Sequence, residues 1–598
     1  MPRTPVIAGA AIASAAALYA LYVRSQRRRV KGPWLLHSCT VLASTIDEGA
    51  GVKPEDDYYA EVDVLLGGDG TILAVGKPGS VPKPSLFTAT IDCSNKLLLP
   101  GFVNAHTHST EHLSRGLIPP LPLDLWVMRL LSTVGEAFGY FKAPSEALHL
   151  AALHCGVESL LSGCTSIMDH CFCNGVEDAQ ACISAYEAVG IRAFFAPMLN
   201  DDAELYKNYI PVPHDAAARN NAAQSGLAKR SGFGKDGALR TERAPSDDAA
   251  CERAVALWEE IIAACHRPAD GVNVVVGPVT AYSCSKKLLQ EAGRLRRKHS
   301  LHGHIHLLES RAQKMEACRD TARFPGGSAV RFLHESGFLD VPGTTTSCAH
   351  CCWLEREDMQ LLAASRAVVA SNPLSNLRLG SGICAVRACL EESVDVAIGC
   401  DGSCSSDGQD MTEAIKAVCL TSTLQTPEYK KWLSARETLR LAYEGGAAAV
   451  GLKGKAGKIA TGMLADVTLW DLTSLSMLPQ NDPASLLALG RPQPGPAAAG
   501  SALHSVFVAG KRLVSAGDLL TVDLRWLRAK LWAALPRRRP GSELISDVPP
   551  TVEFQECAEC EYRAALNLDA DATWQPSSAG ARLASTLVWN PLQQRNKS

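Results

Sequence analysis

Between Pro100 and Gly454 short apolar runs alternate with longer stretches of mixed polarity. The runs CTSIMD, RAFFAPML, VNVVVGP, HGHIHLL, TTTSCAH, AVVASN and DVAIGCD read as buried strands, while residues 145–161 and 286–298 carry the period of helices. Alternating strands and helices imply parallel strands joined by crossover helices. Counting from Phe102 gives about eight strands, which favours a closed α/β fold, a (β/α)8 TIM-like barrel, over an open sheet. Polar residues released at strand ends then gather on one face of the barrel.

The flanks have a different pattern. From Trp34 to Asp92 the chain reads as short β, LLHSCTVLAST and then YAEVDVLLGGDGTILAVGK with a Gly-Asp-Gly turn. A similar set, ADVTLW and SVFVAGKRLV, follows the barrel. Neither set closes a core alone, so the two are expected to pair into one small β-sandwich. The expected division is an anchor over 1–31, sandwich over 32–98, barrel over 99–454, sandwich again over 455–535 and a polar tail over 536–598. Residues 202–250, rich in Ala, Asn, Lys, Arg, Gly and Ser without an apolar period, read as a disordered or surface insertion.

At the amino end, VIAGAAIASAAALYALYV is about 18 residues without a charge, near the lower limit for spanning a bilayer as a helix. Arg24, Arg27, Arg28, Arg29 and Lys31 follow it. The positive-inside rule places the rest of the chain in the cytosol. No good cleavage site separates the apolar run from the basic cluster, so residues 5–23 are expected to be an uncleaved membrane anchor. Its basic carboxyl flank resembles signal anchors of organelle outer membranes; a cleaved peptide for organelle import is the competing reading.

Composition adds bounds. The 598 residues, 46% hydrophobic and 20% charged, suit a globular protein of several units. A net charge of -3 gives no electrostatic reason to expect nucleic acid as a partner. The 21 cysteines are scattered through apolar segments, as in a reducing compartment. Cys557 and Cys560 form a CxxC without a second half.

Chemistry starts at His106-Thr107-His108, where a buried strand would release two imidazoles on one face, as two ligands of one metal require. With 16 His, such a pair arises by chance roughly 0.4 times. Further candidates come in order at later strand ends: His306 and Glu309 in HIHLLES, His350 in AHCCWL, and Asp401 in GCDG. His302 and His304 read as barrel-wall histidines.

Together these motifs resemble the amidohydrolase superfamily, in its mononuclear aminohydrolase branch of guanine, 8-oxoguanine, cytosine, S-adenosylhomocysteine and triazine deaminases. The resemblance rests on PGFVNAHTHS, SRGL, GCTSIMDH, GPVTAYSCS, HIHLLES, AHCCWL, SNPLSNLRLGSG, GCDG and GKIATGMLADVTLWD. It implies that His106, His108, His306 and Asp401 bind one divalent metal, with zinc first and iron(II) or manganese next. Glu309, His350 and Asp401 would be catalytic, and a heterocycle such as a purine, pterin or triazine would be deaminated. The run IRAFFAPMLN lacks the lysine that bridges two metals in binuclear relatives, which favours a single ion. Glu111, where several relatives have Gln, would pair with substrate or with Arg115; His170 would lie near substrate or serve structure. The motif at Ser371-Asn372 has no His, unlike that of some relatives. A homodimer is common in this branch. Two alternatives stay open: loss of another leaving group (chloride, an alkylamine or a cyclic amide), and a catalytically inactive membrane-anchored scaffold.

Overall fold

Strands β1 (Trp34–Leu42), β2 (Tyr59–Leu66), β3 (Ile72–Gly76), β4 (Ala89–Asp92) and β5 (Lys96–Pro100) precede the alternating region. The computed structural model describes residues 32–46, 59–83, 88–130 apart from 124 and 128, 144–201, 248–490, 492 and 500–534. The expected anchor, residues 202–247 of the expected insertion and the polar tail lie outside the described residues. No helix among the described residues is long and apolar enough to cross a membrane.

After β5 come β6 (Phe102–Thr107), β7 (Cys164–Phe172), β8 (Arg192–Leu199), β9 (Val272–Val274), β10 (Gly277–Pro278), β11 (Gly303–Leu307), β12 (Thr346–His350), β13 (Val368–Ser371) and β14 (Asp395–Ile398). The last strands are β15 (Val467–Asp471), β16 (Leu503–Val508), β17 (Lys511–Ser515) and β18 (Asp518–Leu519).

The two ends of the chain do pair, as one nine-stranded sheet in the order β18-β17-β16-β15-β5-β1-β2-β3, with β4 on β1. The join is antiparallel, from Lys96 opposite Asp471 to Pro100 opposite Val467. Within the sandwich expected from this pairing, the strands form one hydrogen-bonded array that curls on itself. The Ala465 amide donates to the Gly70 carbonyl at 2.8 Å, and Trp34 meets Phe507 edge-on at 6.1 Å. The run Leu97-Leu98-Leu99 shows why one sheet serves two cores. Alternation turns Leu98 inward beside Val64, Val467 and Phe507, while Leu97 and Leu99 face the barrel beside Trp470. Each such leucine, fully buried, is worth about 1.5–3 kcal/mol.

The chain leaves the sheet at Pro100-Gly101. A Cβ on Gly101 would lie 2.2 Å from the Thr165 side chain, so only glycine lets β6 start that close to β7. β6, β7, β8 and β10 pair in parallel, with β9 also on β8, and β11 to β14 form a second parallel set. Parallel bridges between Val276 and Gly303 and between Thr280 and His306 join the two sets. At the other seam the Asp401 amide donates to the His106 carbonyl at 2.9 Å. With β9 and β10 as one interrupted strand, the ring has the eight strands expected.

Helices Pro144–Leu161 and Lys286–His299 fall where the pattern placed them. Ser285 caps the second by accepting from the Leu288 amide at 3.0 Å. Residues 248–250 are a correction. They open the helix Asp248–Cys265 rather than ending an insertion, because Ala250, Cys251, Ala254 and Trp258 form one buried stripe.

Candidate active site

Every residue of β6 is buried, so His106 and, just beyond its end, His108 emerge inside the ring. Each ring is held at its Nδ1. His106 Nδ1 lies 2.8 Å from His304 Nε2, and His304 Nδ1 lies 2.5 Å from Ser347 Oγ. His108 Nδ1 meets the backbone carbonyl of His170, and His306 Nδ1 lies 2.7 Å from the Val279 carbonyl. Fixed in this way, all three rings turn Nε2 toward one point. His306 Nε2 is 3.1 Å from His108 Nε2. Asp401 Oδ1 is 3.2 Å from His106 Nε2 and 3.3 Å from His108 Nε2.

Those spacings fit a metal. Zinc takes N and O donors at about 2.0–2.2 Å in a tetrahedron, which sets neighbouring donors about 3.3 Å apart. His106 Nε2, moreover, is fully buried without a hydrogen bond of acceptable geometry, a costly state unless its lone pair is a ligand. Backbone strain marks the same place. His350, at the end of β12, has φ 73, and Asp401, beyond β14, has φ 61; each such left-handed residue costs about 1–3 kcal/mol.

Glu309 follows β11, buried, with its backbone amide donating to Gln313 Oε1 at 2.8 Å. His350 Nδ1 lies 2.9 Å from Asn376 Oδ1. That contact directs His350 Nε2 between two carboxylates, 3.6 Å from Glu309 Oε2 and 3.9 Å from Asp401 Oδ2.

Electrostatics separate these rings. Burial pushes the His106 pKa down to about 3 and holds His306 and His350 below the usual range, so all three stay neutral. For His108 burial is outweighed by Glu111 and Asp401, and its pKa rises. Burial also works to raise Asp401, but the close approach of His106 Nε2 and the charges of His350, His106 and His108 hold it well below the carboxylate range.

Glu111 lies on the short helix Ser109–Ser114, where its Oε2 accepts from the Cys404 amide at 3.1 Å. A Cβ on Gly402 would fall 1.8 Å from that oxygen, so glycine permits the approach. Burial pushes the Glu111 carboxyl up to about 8. Its expected alternative partner, Arg115, instead forks onto Glu158, which lies 3.4 Å from both His112 Nε2 and His154 Nε2. These three groups come within metal-binding distance of one another, but Arg115 already supplies the cation.

The ring of His170 is buried, with its centroid 4.7 Å from that of His306, and Nε2 is 3.3 Å from the Gly277 carbonyl. Its neighbour Asp169 accepts from the Ser109 amide at 2.9 Å, Ser109 Oγ at 2.6 Å and Tyr186 OH at 2.7 Å. The pair thus stands behind His108. His302 is a wall residue whose Nδ1 accepts from the Thr345 amide at 3.0 Å. The run read for a bridging lysine is a correction: β8 is the third strand of the ring, and the fourth, β9 with β10, ends at Gly277-Pro278, likewise without a lysine.

Sequence reasoning missed Ser347, Asn376, Asn104 and Gln409. Each supports a neighbouring group through a hydroxyl or amide, and no spacing rule marks such residues.

The profile of the Amidohydrolase family matches residues 97–513. A 5-methylthioadenosine/S-adenosylhomocysteine deaminase of Pelotomaculum thermopropionicum is 27% identical over 485 residues, spanning 81% of this chain and 96% of the relative. A 5'-deoxyadenosine deaminase of Methanothermobacter thermautotrophicus is 29% identical over 438 residues, spanning 73% and 86%. Among solved structures, a mutant atrazine chlorohydrolase from Arthrobacter aurescens, complexed with zinc and atraton, has a TM-score of 0.67 at 23% identity, covering 84% of this chain and 100% of its own. A zinc-bound adenosine deaminase from Xanthomonas campestris has a TM-score of 0.65 at 22% identity, covering 84% and 98%. With the family profile spanning well over half of its length, the chain belongs to the amidohydrolase family.

Proposed function

We propose that this protein is a metal-dependent aminohydrolase that replaces the amino group of an amino-substituted heterocycle with oxygen and releases ammonia. The observation that carries this reading is the convergence of His106, His108 and His306 Nε2 with Asp401 Oδ1, beside a His350 set between Glu309 and Asp401. Three imidazoles and one carboxylate suit zinc, and also iron(II) or manganese; zinc in two similar structures puts it first. A divalent cation held there lowers the pKa of a water it binds to about 7.

The remaining steps belong to the chain's own residues. Asp401 Oδ2, on the side of His350, accepts the proton of the attacking water. Glu309 delivers a proton to the ring nitrogen beside the amino-bearing carbon. The proton Asp401 took from water passes to the amine, which leaves as ammonia, and the remaining hydroxyl proton returns to Glu309 as the oxo group forms. His350 stabilises the charge passing between the two carboxylates. Water and the amine are consumed, and an oxo group and ammonia result.

An adenine-type purine is the favoured substrate, since the curated relatives are named for adenine nucleosides. Glu111 is the residue to read a ring N–H or exocyclic amine. For His170 the carbonyl contact to His108 favours support of a ligand over contact with substrate. Residues 5–23 are proposed to anchor the protein in a membrane, an organelle outer membrane being the reading their basic flank supports, with the barrel facing the cytosol; deleting 1–31 should then move the protein to the soluble fraction.

The direct test is ammonia release by the zinc-loaded protein from 5'-deoxyadenosine, 5-methylthioadenosine, guanine, a pterin and an amino-triazine, with Glu309→Gln as blank. Release above the blank from at least one is expected. Chloride release from a chloro-triazine without ammonia from any of these compounds would replace this reading with another leaving group, and neither product from any compound would favour the scaffold.

A further inference from the structure

We infer that Asn104 and Gln409 form an amide clasp across the barrel seam, and that its task is to hold Asp401 in the conformation in which it can be a metal donor. The inference rests on the metal site proposed above.

β6 and β14 belong to different hydrogen-bonded sets and share no ladder, yet they bring His106 and Asp401 together. Asn104, two residues before His106, projects from the same face of β6. Its Oδ1 accepts from the Cys400 amide at 2.9 Å, and its Nδ2 donates to Gln409 Oε1 at 2.8 Å. Gln409 Nε2 then donates to the Asp401 carbonyl at 2.5 Å. The amide orientations follow from the ends of this chain of bonds. A backbone N–H at Cys400 requires an oxygen, and a backbone carbonyl at Asp401 requires an N–H.

Both side chains are buried, Asn104 at 0% and Gln409 at 1% exposure, so water does not compete for these bonds. Thr107 Oγ1 donates to the same Asp401 carbonyl at 2.9 Å, and the Asp401 amide is held by His106. Asp401 is thereby fixed on both its backbone groups at φ 61, a conformation that a residue with a Cβ keeps only when its surroundings enforce it. Without Gln409 Nε2 the carbonyl keeps a single side-chain donor, and the turn can relax toward negative φ, carrying the carboxylate away from His106 and His108. Gln409 is bonded to the Asp401 backbone, not its carboxylate. It is a positioning residue, and its loss should show in metal retention before chemistry.

The test compares the full-length wild type with Gln409→Met, which keeps the length and loses the amide. Ser162→Ala is the control, because it removes a 3.3 Å contact to the Gln409 backbone carbonyl and leaves the clasp intact. Zinc loss to excess chelator should be about 10–100-fold faster in Gln409→Met and unchanged in Ser162→Ala. With zinc saturating, KM should be unchanged and any loss should fall on kcat, through Asp401. Zinc loss from Gln409→Met at the wild-type rate, or equal acceleration in Ser162→Ala, would overturn the inference. So would failure of Gln409→Met to fold, since the clasp would then be holding the barrel rather than one donor. Wild type that binds less than about a tenth of an equivalent of zinc would instead sink the metal site itself.

Discussion

Adding one methyl group where β14 passes β6, as Gly399→Ala, should separate the proposed metal donors without replacing any of them. The new Cβ would meet Asn372 Oδ1 at 2.3 Å and the Cβ and backbone nitrogen of His106 at 2.9 Å. The His106 contacts are backbone or nearly so and cannot rotate away. Asn372 is fully buried. Restoring an ordinary 3.4 Å contact to His106 displaces β14 by about 0.5 Å. Asp401, two residues on, moves with it, and its 3.2 Å separation from His106 Nε2 opens to about 3.7 Å. Metal–donor distances tolerate only about 0.2 Å. Overpacking of this kind costs about 1–3 kcal/mol, at about 2–4 °C of Tm per kcal/mol. Calorimetry of the zinc-free and zinc-loaded proteins, with zinc affinity from competition against a chelator, measures both effects. The variant should lose about 10-fold or more in affinity and a few degrees in Tm. Wild-type affinity together with wild-type Tm would refute the seam geometry.

Replacing the proton donor, as Glu309→Gln, should lower kcat about 10²–10⁴-fold while zinc content stays at the wild-type level; full activity would remove Glu309 from the mechanism. A pH effect follows from Glu158. Burial works to raise its pKa, but hydrogen bonds from His112, His154 and Arg115 hold it well below its ordinary 4.5. A depressed folded-state pKa means stabilisation that is present above about 4.3, the unfolded value, and lost as pH falls below it. Thermal unfolding between about pH 5 and 3 should therefore show a steeper fall in Tm for wild type than for Glu158→Gln; parallel curves would contradict the cluster.

The legible parts of this protein are those that periodicity exposes. Strand ends are visible because an apolar run stops at a polar residue, which is how His108, Glu309, His350 and Asp401 stand out. Helix Lys286–His299 is visible because Ser285 caps it and its leucines keep the helical period. Residues whose partners lie far away in the chain are not visible in this way. Gln409 bonds Asn104 across 305 positions of sequence, and neither amide differs locally from an ordinary polar residue. The curl of the nine-stranded sheet was hidden for a similar reason. Alternation tells which face of Leu97-Leu98-Leu99 is inward, but the pairing of Lys96 with Asp471 depends on a strand contributed from beyond the barrel. The first turn of helix Asp248–Cys265 fell within the expected insertion because it carries Asp248 and two alanines, too little apolar signal to stand out.

Metal content of the purified full-length protein tests the central claim most directly. About one equivalent of zinc per chain is expected for wild type, falling below about a tenth in His306→Ala and in Asp401→Ala, because each removes one of four donors. Wild type without metal, two equivalents per chain, or unaltered content in both variants would contradict it.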